Sequence, residues 1–175
     1  MPSAFYDGGM CVAAILTNFP LRALLLALAA VSAAILGVAF VAQYGFGLHP
    51  CELCLAQRYP YAAIVILGLA GFFISSPRAR LVIAWLCALL FLADAGIAFY
   101  HAGVELGLFP GPSACATPPS QGETLEDMRR ALMIAPLVPC NQPMVSAFGL
   151  SMAAWNAITA TLLAAGTAAL LWRRR

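Results

Sequence analysis

The chain has 175 residues, 63% of them hydrophobic and only 9% charged, and its mean hydropathy is +0.90. Soluble domains keep about a quarter of their residues charged, so this composition excludes an ordinary water-soluble enzyme and points to a membrane protein. A net charge of +2, with no basic patch between aromatics, no phosphate-binding glycine loop and no internal repeat, gives no reason to expect nucleic acid as a partner.

Residues 1–20 read as a loosely apolar leader, expected to be poorly ordered, with Met10 as an alternative initiator. Four apolar runs follow, at about 21–44, 55–74, 81–100 and 148–172, each close to the ~20 residues a helix needs to cross a bilayer. Helices are expected because lipid offers no partners to backbone amides, and these runs lack the alternation of barrel strands. The first run is too long and too weakly flanked for a cleaved signal peptide, so it is expected to be retained. The predicted fold is an all-α membrane protein, a four-transmembrane-helix bundle over 21–175 with a long outward loop.

Arginine supplies every basic residue. Arg22, Arg78, Arg80, Arg173, Arg174 and Arg175 fall on one side of four spans, against Arg58, Arg129 and Arg130 on the other. The positive-inside rule then places both termini in the cytoplasm. The short turn at 45–54 and the loop at 102–147 are expected to face outward.

That turn holds Cys51-Glu52-Leu53-Cys54, with Arg58 four residues beyond the second cysteine. Two thiols at this spacing close into a disulfide that reopens easily, and thiol pKa values are often depressed there. Pro60 fits the first turn of a helix and biases Tyr59 away from helical geometry. A helix beginning near Tyr59 would set its positive end, together with Arg58, beside Cys54. Interfacial snorkelling is the bland account of that arginine.

Cys115 and Cys140 join Cys51 and Cys54 on the outward side, where disulfides persist. Cys87, mid-span, reads as a small hydrophobe, and Cys11 lies in the leader. Three readings of the outward four stand side by side: structural braces, a zinc site, or a relay of two exchangeable disulfides. Haem attachment is excluded because Leu55, not histidine, follows Cys54.

The third span ends in Asp94, Ala98, His101 and Glu105, a stripe at helical spacing. Asp94 lies within the hydrocarbon and is expected to face the bundle and have a partner. His101 and Glu105 could shuttle protons, hold a polar headgroup, or simply pair. In the long loop, Thr124 and Asp127 suggest a capping box. Leu125, Met128, Leu132 and Met133 then form the apolar face of a short amphipathic helix suited to the membrane surface. Tyr44, Tyr59, Tyr61, Tyr100 and Trp155 are expected to mark the outer interface, and Trp85 and Trp172 the inner one.

Taken together, Cys51-Glu52-Leu53-Cys54 with Arg58, then His101 and Glu105, then Cys115 and Cys140, resemble the disulfide bond formation protein B (DsbB) family of bacterial membrane oxidases. The resemblance runs across all four spans and both outward loops. It implies a thiol:quinone oxidoreductase of the bacterial inner membrane. Redox-active disulfides Cys51–Cys54 and Cys115–Cys140 would connect a periplasmic thioredoxin-fold oxidase (DsbA-like) to a membrane quinone, ubiquinone or menaquinone. Cys115 would form the mixed disulfide with that partner. Cys54 would pass electrons to a quinone held near Arg58, His101 and Glu105. This route is the one known for the family. A resident metal is not expected on this reading, whereas outward thiolates binding zinc or copper are the alternative from another class.

Overall fold

A computed structural model of the chain describes residues 20–112, Glu126, 139–143 and 145–174. The leader with Cys11, the expected amphipathic helix apart from Glu126, and Cys115 lie outside the described residues. Helix α1 (Leu21–Phe40) runs into a π-helical turn (Val41–Gly45). A short α2 (Glu52–Ala56) is followed by α3 (Arg58–Phe73), α4 (Pro77–Glu105) and α5 (Met152–Trp172). Among the described residues four segments, Leu21–Gly45, Glu52–Phe73, Pro77–Glu105 and Met152–Trp172, are long and apolar enough to cross a membrane.

Two helix pairs build the bundle: α1 lies along α3 and α5 along α4, with α3 against α4 joining the pairs. Leu24, Leu25, Leu28, Tyr61, Ile64, Cys87, Phe91 and Leu171 are buried between them. Leu26, Val38, Ile66, Phe73, Leu89, Leu92 and Leu162 point outward, as expected of a bundle solvated by lipid tails. Cys87 is fully buried in this core, in keeping with a thiol that packs as a small hydrophobe.

The helix ends depart from the predicted spans for local reasons. Ser76 caps α4 through the Ala79 amide at 3.4 Å and Pro77 occupies its first turn, a position that suits proline. Arg80 binds the Ile74 and Ser75 carbonyls at 2.9 and 2.6 Å, satisfying the end of α3. At 29 residues, α4 measures about 43 Å against a hydrocarbon core of about 30 Å. The helix therefore continues past the expected end at residue 100 and carries His101 and Glu105 in its last turn.

The fourth span starts later than expected. Residues 146–151 form a hairpin with Ser146 opposite Ser151 and Ala147 opposite Leu150. Phe148 and Gly149 turn the chain at φ 54° and 79°, the positive φ pair that matches the twist of a two-residue hairpin. Ser151 then caps α5 by accepting from the Ala154 amide at 3.1 Å.

Candidate active site

The turn after α1 delivers Cys51 to the N-cap of α2, where its Sγ accepts from the Cys54 amide at 3.4 Å. A helix starts at Arg58, next to the expected Tyr59, but a short one precedes it from Glu52, and the thiol at that earlier N-terminus is Cys51. Gln57 breaks the helix, and Pro60 sits in the first turn of the new one at Arg58, where its missing N–H costs nothing. Arg58 donates to Gln43 Oε1 at 2.5 Å with its guanidinium 5.1 Å over the Phe40 ring. It ties the start of α3 to the end of α1.

The two sulfurs of the pair lie 3.2 Å apart, and His101 Nε2 lies 3.5 Å from Cys51 Sγ. Either thiol could donate between the sulfurs. The Cys54 amide and the imidazole both face Cys51, which makes Cys51 the accepting thiolate. Its thiol is held down to about 4, first by the hydrogen bond with Cys54 and then by His101, against the opposite push of burial. Glu105 Oε1 stands 3.7 Å from His101 Nε2 on the next turn.

Cys140 is disulfide-bonded and buried in one cluster with Cys51 and Val104, flanked by Leu53, Cys54 and Tyr100. The structure thus gathers Cys51, Cys54, His101, Glu105 and Cys140 at one end of the bundle. The Cys115–Cys140 pairing falls outside the described residues.

A cleft of about 460 Å³ opens beside this cluster. Ala34, Val38 and Ala39 of α1 and Met152 and Ala153 of α5 form apolar walls, and Cys51, Cys54, Arg58, His101 and Glu105 reach it. Because α1 is packed on α3 and α5 on α4, the cleft lies between the two helix pairs.

Three site residues went unforeseen. Gln57 Nε2 contacts His101 Nδ1 at 2.9 Å, and Asn156 Nδ2 donates to Gln57 Oε1 and to Asp94 Oδ2, each at 2.9 Å. Tyr61, expected in the interfacial belt, is instead buried and donates to Asn156 Oδ1 at 2.6 Å. A lone amide in an apolar span was the available signal for Asn156, since polar groups at that depth need partners. Asp94 is buried with a bundle-facing partner, as its position required.

Cys51, Cys54 and His101 each present one donor atom, all within 4.8 Å of one another, a set chemically suited to zinc. Comparison with known proteins bears on the choice. Residues 21–170 match the family described as "Disulfide bond formation protein DsbB". Disulfide bond formation protein B of Aromatoleum aromaticum is 32% identical over 90% of this chain and 96% of its own length. The protein of that name from Cupriavidus necator is 33% identical over 87% and 94%. No solved structure gives a significant match. Matched across all four spans and folded as a four-helix membrane bundle, the chain belongs to the DsbB family of disulfide bond formation proteins.

Proposed function

We propose that this chain is a thiol:quinone oxidoreductase that reoxidises a periplasmic thioredoxin-fold disulfide donor (DsbA-like). Both termini would lie in the cytoplasm and the cysteine loops in the periplasm, as the arginine distribution favours. The observation that carries the reading is the Cys51–Cys54 pair set in the wall of an apolar cleft, with Arg58, His101 and Glu105 beside it. Such a cleft, about 460 Å³, falls in the ~300–1,000 Å³ range of small-molecule sites, which pair apolar walls with a few polar groups. It fits a quinone ring, and Arg58, which lines it, could donate to a carbonyl oxygen.

The electron balance closes over three exchanges. The donor's dithiol reduces Cys115–Cys140 and leaves as a disulfide, with Cys115 forming the mixed disulfide. The reduced pair then passes two electrons and two protons to Cys51–Cys54. The burial of Cys140 in one cluster with Cys51 supports that exchange. Reduced Cys51 and Cys54 finally close again, with Cys54 facing the acceptor; a membrane quinone takes up the two electrons and two protons. Protein disulfide formation continues as long as quinone is reoxidised.

The test uses reduced, detergent-solubilised full-length protein freed of excess reductant and mixed with a soluble ubiquinone analogue. Loss of four alkylatable thiols with matching quinone reduction is expected, and a Cys54→Ser variant should reduce none. A second reading rests on the three donors of the pair and His101: reduced chain holding zinc. Survival of all thiols with zinc at about one per chain would put that reading in first place.

A further inference from the structure

We propose that Asp94, acting through Asn156 and Gln57, fixes the tautomer of His101 so that its single proton sits on Nε2, aimed at Cys51 Sγ. The inference deepens the oxidoreductase reading, on which it rests only for what the thiol does next.

The argument follows the direction of each hydrogen bond. Asp94 Oδ2 accepts from Asn156 Nδ2, and Tyr61 donates to Asn156 Oδ1. The two contacts fix which way the Asn156 amide points. Its Nδ2 has a second hydrogen, which goes to Gln57 Oε1. Gln57 must therefore present its NH₂ group to His101 Nδ1, 2.9 Å away. An amide NH₂ only donates, so Nδ1 must accept. A neutral imidazole with a bare Nδ1 carries its hydrogen on Nε2. That nitrogen is 3.5 Å from Cys51 Sγ and 3.7 Å from Glu105 Oε1.

Five residues on α3, α4, α5 and the break before α3 thus form one chain of fixed polarity. Asp94 is two turns below His101 on the same helix and does not touch it. Reversing the Gln57 amide would set its NH₂ against that of Asn156, leaving donors facing donors in a buried site, which is costly. Asp94, Asn156 and Gln57 are positioning residues: none touches the reacting sulfurs. The same polarity removes the Nε2 lone pair that a metal would need. It makes His101 a donor to Cys51 and not a ligand.

The readout is the ¹⁵N spectrum of histidine-labelled, reduced full-length protein in detergent. The chain has two histidines, and His49→Gln assigns the signals. Wild type should show His101 with a protonated Nε2 and a bare, hydrogen-bonded Nδ1. Gln57→Glu replaces the donor facing Nδ1 with a carboxylate that only accepts, so a proton should move to Nδ1. Asp94→Leu should leave the two tautomers mixed. Asp94→Asn keeps an oxygen for Asn156 and should retain the wild-type tautomer. If Asp94→Leu does not fold, Gln57→Glu decides alone. A wild-type His101 protonated on Nδ1 overturns the proposal, as does a tautomer indifferent to Gln57→Glu. None of these spectra depends on quinone turnover, so their failure leaves the oxidoreductase reading standing, and the reverse also holds.

Discussion

At Cys51 the Cys54 amide, the Cys54 thiol and His101 Nε2 converge on one sulfur. The pair therefore divides its labour: Cys51 accepts and Cys54 donates. A thiol lowered from 9.0 to about 4 stabilises the reduced site fully above pH 9, and that contribution is lost as pH falls through about 4. In a reduced chain retaining only Cys51 and Cys54, thiolate ultraviolet absorbance should persist through neutral pH and disappear only toward pH 4. Cys54→Ala should move the midpoint up further than His101→Leu, because the Cys54 hydrogen bond is the larger cause. A wild-type midpoint near the ordinary thiol value would refute the assignment. A stabilised thiolate also makes the disulfide the better oxidant, so His101→Leu, which keeps both thiols, should leave the pair more reducing.

Helix contacts depend on where the chain is bare. A Cβ at Gly68 would meet the Leu25 carbonyl oxygen at 2.6 Å and Ala29 Cβ at 2.9 Å, so glycine there lets α1 and α3 touch backbone to side chain. Gly96 on α4 has nothing within 4 Å of the same position. Gly68→Leu should cost about 1–3 kcal/mol by overpacking, read as a lower melting temperature in detergent. Gly96→Ala should be neutral or stabilising, since alanine is the better helix former. Equal losses for both would show that the close approach is not the cause. At the start of α5, Ser151→Ala removes the oxygen that holds the Ala154 amide and should cost about 1 kcal/mol. The helices themselves were legible from apolar length, and the stripe of Asp94, His101 and Glu105 from helical spacing. The helix start near Arg58 was also readable, through Pro60; the short helix Glu52–Ala56 before it and the hairpin turn at Phe148 and Gly149, at the head of an apolar run, were not.

Across the whole molecule, sequence carries the faces of each helix but not which faces meet. The Cys51–Cys54 pair was readable because its residues are close in the chain. The contact of Gln57 with Asn156 spans 99 positions and appears only when α5 has packed on α4. The cleft is likewise a product of assembly, since its walls come from the first and last helices. That origin gives a way to separate access from chemistry. Ala39 lines the cleft on α1 and is not among the residues packed around Cys51, so Ala39→Phe should fill space without disturbing the Cys51–His101 contact. If the cleft admits the electron acceptor, overpacking worth about 1–3 kcal/mol should raise the KM for a quinone analogue about tenfold or more. Oxidation of the same reduced protein by a small water-soluble thiol oxidant should proceed as in wild type, because that reagent does not need the cleft. An unchanged quinone KM would move the acceptor elsewhere on the bundle. Slowing of both reactions together would instead mean that the substitution had reached the thiols.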